Sequence, residues 1–347
     1  MLRTIHRIRQ LVALPAYREA VARTLPADLA HDPGPEAALA GYDFHLTRDI
    51  PQLIEVNSNA GGSWLAWQAQ HGPAAPAGGT SARRKLLQGF LDEFAHASAL
   101  AGRPLGRAVI LDESPESQFL FGEMNALREE WQAAGVDAVV ADPSALRMDE
   151  SGVYLADGCR VDLVYNRHCD FLLETPALAG LRAAYRAGSV CLTPNPWGFA
   201  LLSDKRRLIL WSDEAALRGL GLPPEAAAGL AAAVPQTREV GSLPADRLWS
   251  ERARWVFKPP SGYASRGVLL GDSITRTRFN ALPPDTLAQR FHAPSQVDAE
   301  GGPMKTDWRI FACRQRILGV GARLYRGQVT SLRQPGTGYA KIRLTDD

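Results

Sequence analysis

Two short segments near residue 50 constrain this chain more than any other part of it. Tyr42-Asp43-Phe44-His45-Leu46 and Ile54-Glu55-Val56-Asn57-Ser58-Asn59 both alternate as strands do, and Thr47-Arg48-Asp49-Ile50-Pro51 between them reads as a tight connection. Side chains at i and i+2 of a strand share a face, so Glu55, Asn57 and Asn59 project together. A hairpin turning about Asp49 sets Asp43 directly opposite Glu55, with Cβ atoms about 5 Å apart. Asp43, Glu55 and Asn57 then converge as hard oxygen ligands of the kind magnesium takes beside substrate phosphates. A one-residue slip would send them to opposite faces, so the expectation is specific.

The rest of the chain is long enough to surround such a face. Its 347 residues are 46% hydrophobic and 22% charged, which suits two or three packed lobes. The 39 Lys and Arg against 37 Asp and Glu give +2, and the basic clusters Arg83-Arg84-Lys85 and Lys205-Arg206-Arg207 are short and isolated. This balance points to neither a nucleic-acid track nor an anionic membrane. The opening residues interleave cations with apolar side chains and lack a secretory core, and no run approaches the roughly 20 apolar residues of a membrane span. Cys159, Cys169, Cys191 and Cys313 show no metal-ligand spacing, so reduced thiols in a cytoplasmic protein are expected.

Along the chain, residues 1 to 40 read as Ala-rich helices punctuated by prolines. An Ala/Pro/Gly-rich loop from Gly72 to Thr80 precedes a helix over Ser81 to Ala101. From Arg107 a strand, a helix (Ser117 to Ala134) and a strand (Asp137 to Pro143) make a β-α-β unit, continued by Val161 to Tyr165 and a helix over Leu178 to Ala187. A small parallel α/β domain is expected. It has no GxGxxG after its first strand, which weighs against a dinucleotide site. Helices follow to Ala232, then a strand ending at Lys258, a Gly-containing loop from Ser261 to Gly267, and a strand at Val268 to Leu270. The last third reads as antiparallel strands: Trp308 to Cys313, Arg316 to Leu324 and Val329 to Arg333.

The cations in this order can hold and transfer phosphate. Lys205 is placed early in a helix, and Lys258 ends an apolar strand before the loop containing Ser261, Gly262, Tyr263 and Gly267. Such a loop between strands can cover phosphates, and two inward lysines can hold them by charge. A solvated surface position is the alternative for either lysine, less so for Lys258 after Trp255-Val256-Phe257. Arg309, Arg323 and Arg333 each lie on an expected strand, Arg309 in phase with Asp307 and Phe311. Guanidiniums facing a phosphate suit phosphoryl transfer, where positioning and charge neutralisation do most of the catalysis. Cross-strand ion pairing is the alternative for Arg323 and Arg333. Cys169, between His168 and Asp170, is not read as a nucleophile, because neighbours on a strand point to opposite faces. Glu113, Ser114, Asn166, Arg167 and Asn195, near strand ends of the α/β region, are expected to help shape a substrate pocket.

Taken jointly, these residues resemble the working set of ATP-grasp carboxylate-amine ligases. Because the Glu-x-Asn strand precedes the lysines, the chain is similar to circularly permuted members, the glutathionylspermidine synthetase-like proteins. The resemblance covers most of the chain from about Gly41 onward. It implies an ATP-grasp fold of the α/β (α+β) class with a small Rossmann-like parallel domain. The parts would be 1–100 (helices and the permuted metal-binding strand pair), 101–195 (the Rossmann-like domain), 196–292 (a lid) and 293–347 (the core sheet). It implies ATP and Mg²⁺ as cofactors, with Asp43, Glu55 and Asn57 on magnesium, Lys205 and Lys258 on the phosphates, and Ser261 to Gly267 over them. Gln296-Val297 would be the hinge that reads adenine through backbone groups, and Arg309 the arginine of the Asp-x-Arg strand. Partners would be a small-molecule or peptide carboxylate and an amine acceptor, on a monomer or homodimer. A kinase on the same fold, or a nucleotide-binding regulatory protein without turnover, would use the same residues. Two departures bear on the acyl acceptor rather than on ATP: Gly41 stands where those relatives carry an arginine, and Gln334-Pro335-Gly336-Thr337-Gly338 has fewer glycines than their closing loop.

Overall fold

The computed structural model describes residues 1–47, 50–72, 81–97, 100, 102–261, 267–299 and 301–343, with the side chains of 81–83 excepted. The turn expected about Asp49, residues 73–80 of the expected Ala/Pro/Gly-rich loop, and Gly262 and Tyr263 lie outside these residues.

The chain opens with helices α1 (Leu2–Ala13) and α2 (Pro15–Ala22). Ile5, Ile8, Leu11 and Val12 recur at helical spacing and are buried on one face of α1. Strands β1 (Ala40–His45) and β2 (Gln52–Asn57) follow, then α3 (Ser63–His71) and α4 (Ser81–His96). The β-α-β unit is β3 (Arg107–Leu111), α5 (Phe121–Ala133) and β4 (Asp137–Ala141). A three-stranded excursion, β5 (Arg147–Asp149), β6 (Gly152–Tyr154) and β7 (Arg160–Val161), precedes β8 (Leu163–Asn166), α6 (Ala179–Arg186) and β9 (Cys191–Thr193). The single strand expected over Val161 to Tyr165 thus divides at Asp162. Its carboxylate accepts the N–H groups of Gly106 and Arg107, both at 3.0 Å, which pulls the chain out of line there.

Short helices come next: α7 (Pro196–Leu202), α8 (Arg207–Trp211), α9 (Glu214–Gly219) and α10 (Pro224–Ala233). The remaining strands are β10 (Thr237–Glu239), β11 (Trp255–Lys258), β12 (Leu269–Leu270), β13 (Leu287–Arg290), β14 (Ser295–Val297), β15 (Met304–Cys313), β16 (Arg316–Tyr325) and β17 (Gly338–Ala340).

These strands form three main sheets. The largest is antiparallel, in the order β17-β16-β15-β1-β2, with β14 also paired to β15. The hairpin from the start of the chain therefore lies against a strand more than 250 residues later, with Asp43 beside Arg309. One face of this sheet, carrying Tyr42, Phe44, Val56, Ile310 and Ala312, packs on α1, α2 and α7 to α10. The other face carries Asp43, Glu55, Asn57 and Arg309. The parallel sheet, β4-β3-β8-β9, is covered on both sides: Val109, Leu111, Val164 and Leu192 meet α6, while Ala108, Ile110, Leu163 and Tyr165 meet α4 and α5. A smaller antiparallel sheet, β10-β13-β11-β12, packs Trp255, Phe257 and Ala288 against its own apolar cluster. That leaves Val256, Lys258 and Gln289 to face away from it. Among the described residues no helix is long and apolar enough to cross a membrane.

Candidate active site

The expected hairpin register is the observed one. Asp43 pairs with Glu55 and Gly41 with Asn57, and on its other edge Asp43 pairs with Arg309. A bulge after Asp43 pairs Phe44 with Leu53, leaving Ile54 as the extra residue. The bulge lets Leu53 enter the helical core beside Val56 and turns Ile54 toward the charged face.

Two carboxylates directly opposite each other repel, so this face holds its cations close. Arg309 binds Asp43 in bidentate fashion, Nε to Oδ1 and Nη2 to Oδ2, each at 2.6 Å. Arg323 donates to the same Oδ2 at 2.9 Å and to Asp307 at 2.6 Å, and Thr330 donates to the other oxygen of Asp307. Burial would raise the Asp43 carboxyl, but Arg309 and then Arg323 outweigh it and hold it below the ordinary Asp range. The Asn57 amide bridges Asp43 and Glu55, 3.3 Å from each. Glu55 is also held low: burial opposes ionisation, and Lys205, Lys258 and Arg309 overcome both that and the neighbouring charge of Asp43. Gly41 has a physical reason here, since a Cβ on it would lie 2.7 Å from Ala60 Cβ and 3.1 Å from Arg309 Cδ and Nε. Its bareness lets Arg309 lie flat across β1.

The smaller sheet supplies the facing wall. Lys258, 5% exposed, donates to Gln289 at 2.7 Å and to the Ile54 carbonyl at 3.4 Å, so the residue freed by the bulge ties the two sheets together. Burial pulls Lys258 down to about 8, with Glu55 opposing and the like charge of Lys205 adding to the fall. Lys205 is not in a helix. α7 ends at Leu202, the Asp204 carboxylate accepts the Arg206 N–H at 3.0 Å, and the resulting turn presents Lys205 before α8 begins. Between the walls lies a cavity of about 1170 Å³ whose lining includes Asp43, Glu55, Asn57, Lys205, Lys258, Arg309 and Arg323.

Other expected positions fall differently. The strand expected over Val329 to Arg333 does not form, because β17 takes the place beside β16, pairing Tyr339 with Arg323. Arg333 is instead an exposed loop residue on the cavity rim, while the cross-strand pairing considered for Arg323 does occur. Gln296 and Val297 lie on β14, paired with Lys305 and Met304 on β15, with exposed side chains outside the cavity lining. Phe291, His292 and Pro294, just before β14, line the cavity instead, and the His292 carbonyl lies 2.7 Å from His45 Nδ1. Ser261 and Gly267 are exposed, while Gly262 and Tyr263 of the expected phosphate-covering loop lie outside the described residues.

The third wall is the C-terminal end of the parallel sheet. Asp112 and Glu113 follow β3, and Arg167, His168, Cys169 and Asp170 follow β8. His168 to Asp170 are therefore a loop and not a strand, with the Asp170 N–H on His168 Nδ1 at 3.0 Å. Asn195 is not part of this wall; it caps α7 by accepting the Gly198 N–H at 2.8 Å and donates to the Pro35 carbonyl at 2.9 Å. Asn166 accepts the His168 N–H at 3.1 Å and shapes the turn, while Ser114 is not among the lining residues. Sequence reading missed Gln289 and His45. Gln289 had a signal: a polar residue in phase with Lys258's face on a strand that is otherwise apolar up to Arg290.

The residues suit a magnesium nucleotide by their donor chemistry. Among the described residues no three His, Cys, Asp or Glu side chains group as a metal site. Glu55, Asp43 and the Asn57 amide are an incomplete oxygen set, the kind that magnesium completes with phosphate and water. Lys205 and Lys258 lie beside that set with charge to offer the phosphates.

With this geometry in hand, solved structures offer a comparison. One, of a protein provisionally described as a gamma-glutamylcysteine synthetase from Methylobacillus flagellatus KT, matches 98% of this chain and 86% of its own at TM-score 0.54 and 10% identity. The likeness is one of fold. Two structures of the ATP-grasp ligase PsnB, one with minimal precursor, Mg and ADP and one with precursor peptide PsnA2 and AMPPNP, cover 68% of this chain and 88% of theirs. Their TM-scores are 0.35, at 13% and 14% identity. No protein-family model and no curated protein matches the chain.

Proposed function

We propose that this chain is an ATP- and magnesium-dependent carboxylate-amine ligase that forms an amide or peptide bond. The observation that carries the reading is the meeting of Glu55, Asn57, Asp43 and Arg309 on one sheet with Lys258 on another and Lys205 on a turn, around one cavity. In this scheme a substrate carboxylate oxygen attacks the γ-phosphorus of ATP, the bond from that phosphorus to the β,γ-bridging oxygen breaks, and ADP leaves. An amine then attacks the acyl carbon, phosphate departs, and the amine loses a proton to solvent. Lys205 and Lys258 hold the phosphates, and Arg309 with Arg323 neutralises charge on the transferring phosphoryl group. Glu55, Asn57 and Asp43 would hold Mg²⁺, which supplies charge neutralisation between the phosphates.

The permuted order belongs to the same proposal, with the hairpin in 1–100 completing the sheet of 293–347, a lid at 196–292 and a Rossmann-like unit at 101–195. So do adenine contacts, which the segment at Phe291 to Pro294 supports better than Gln296-Val297, a phosphate cover at Ser261 to Gly267, and action in the cytoplasm.

The test is incubation with ATP, Mg²⁺ and mixtures of amino acids, short peptides and polyamines, followed by product analysis. One ADP and one phosphate per amide is the expected result. A stable phosphorylated product would make the chain a kinase, and magnesium-independent ATP binding without ADP release in any mixture would make it a regulator.

A further inference from the structure

Arg167 is a buried cation with no direct ion pair among the described residues. It is 8% exposed, and its hydrogen bonds run to neutral acceptors: the carbonyls of Asn59 at 3.1 Å and Ala60 at 3.2 Å, and the Tyr165 hydroxyl at 3.2 Å. Among the described residues no carboxylate is ion-paired with it. Its Nε is buried with no partner at all. The two nearby acids act on it electrostatically but spend their hydrogen bonds on backbone N–H groups. Glu123 accepts the N–H groups of Gly62 at 3.0 Å and Trp64 at 2.8 Å, and Asp112 accepts that of Glu113 at 2.9 Å. Glu123 and Asp112 favour its charge only from beyond ion-pair distance, so the guanidinium, with Nε unpartnered, still has room for a directly bound anion.

Its surroundings say which anion. Arg167 lines the large cavity and also a second, mainly apolar one of about 360 Å³, walled by Trp64, Trp67, Leu86, Met124, Leu127 and Phe311, with Glu123 and Glu130 as its acidic lining. It also stands next to the phosphoryl-transfer residues: Arg309 donates to the Gly61 carbonyl at 3.0 Å, and Arg167 to the preceding carbonyl of Ala60. A Cβ on Gly61 between them would fall 2.3 Å from Leu120 Cδ1 and 2.8 Å from Arg167 Nη2, so a side chain there would push the Arg167 guanidinium or Leu120 aside. Two guanidiniums are thus fixed on successive peptides, Arg309 lining the large cavity and Arg167 lining both.

We propose that Arg167 binds the substrate carboxylate and that the apolar pocket receives the hydrocarbon attached to it, so that the acid is an aromatic or short aliphatic carboxylate. This deepens the ligase reading and rests on it for the fate of the carboxylate, but not for its binding. A pocket of this size is at the small end of ligand sites and admits one aromatic ring or a short aliphatic chain.

The experiment uses 3-phenylpropionate, hexanoate, acetate and 3-phenylpropionamide as probes, with hydroxylamine as the amine. Binding is read by calorimetry without ATP, and turnover by hydroxamate and ADP. The wild-type chain should bind 3-phenylpropionate and hexanoate well above acetate, and the amide not at all. Arg167→Met should weaken 3-phenylpropionate about 30-fold with MgADP binding retained, and Arg167→Lys should recover part of the loss. Val320→Trp, at a rim position that is 40% exposed, should lower the preference for 3-phenylpropionate over acetate about tenfold without touching the core. Equal binding of acetate and 3-phenylpropionate by the wild-type chain, or an unchanged acid affinity in Arg167→Met, overturns the inference. If acids release ADP yet Arg167→Met keeps the acid KM, this inference fails and the ligase reading stands. If 3-phenylpropionate binds through Arg167 and no ADP appears with any acid, the reverse holds.

Discussion

Two buried clusters in this molecule use the same chemistry to different ends. Behind the large sheet, Glu36 and Glu93 are held by Arg9 at 2.6 Å and by Arg314 at 3.5 and 2.7 Å, joining α1 and α4 to the turn between β15 and β16. On the cavity face, Asp43 and Asp307 are held by Arg309 and Arg323 at nearly the same distances. In the rear cluster each charge finds its opposite within the protein, and burial still lifts Glu93 above the usual range despite Arg314. In the cavity cluster Lys205 and Lys258 add positive charge, and Asp43 and Glu55 are both held low. The rear group is a clasp. The front group carries cationic charge toward an open volume, which is the condition for binding a polyanion.

The comparison predicts that variants of the front cluster lose turnover, while variants of the rear lose stability. The largest effect is expected at Glu55. Glu55→Gln keeps its shape but removes the charge that magnesium needs, and ADP formation should fall about 1000-fold or more, roughly 4 kcal/mol of activation free energy. The checks are a steady-state ADP assay and circular dichroism on the same sample. Full activity would remove Glu55 from the metal set and leave the front cluster as another clasp. Arg309→Met should follow with a loss of about 100-fold in kcat and a smaller change in the KM for ATP, since its charge matters most as the phosphoryl group moves.

The rear cluster should respond in the other currency of measurement. Arg9→Met leaves Glu36 and Glu93 with Arg314 as their close partner, and breaking such a buried pair costs about 3 kcal/mol of folding stability. Urea unfolding should show this loss, and the KM for ATP should not change. A tenfold rise in that KM in a folded Arg9→Met variant would mean that the two clusters are coupled through β15 and not separate.

How much of this was legible in the chain follows from the range of each interaction. The hairpin was readable because its alternation and Pro51 are local, and because a period of two leaves little choice of register. Lys258 was readable for the same reason, an apolar strand ending in one charge. The bulge at Ile54 was not, since it exists to bring Leu53 into a core built by helices 150 residues away. The segment Val329 to Arg333 has strand composition but lost the sheet edge to Gly338 to Ala340, a competition that no local pattern reports. Lys205 was put in a helix because the flanking text is helical, and the turn made by Asp204 depends on one side chain bonding its own backbone. Arg167 could be noted as a polar residue near a strand end, but the missing counter-ion is visible only once its neighbours are placed.

The smallest effect is one of pH, and it isolates a single residue of the front cluster. With Lys258 held near 8, the free protein loses this ammonium as pH rises past that point. Phosphates favour the charged form, so ATP binding above pH 8 must draw a proton from solvent, and the Kd for MgATP should rise up to about tenfold per pH unit there while staying flat below it. On the fold the sign is opposite. The unfolded chain, with this lysine at its ordinary 10.5, binds more protons between about 8 and 10.5, so Lys258's contribution to stability improves with pH over the window in which ATP affinity falls. Calorimetry at pH 7, 8 and 9 in two buffers of different ionisation heat measures both the affinity and the proton taken up. Lys258→Arg, charged throughout, should bind MgATP with neither the slope nor the proton uptake. If the variant keeps both, the titrating group lies elsewhere in the cavity, and Lys258 is not what makes the front cluster respond to pH.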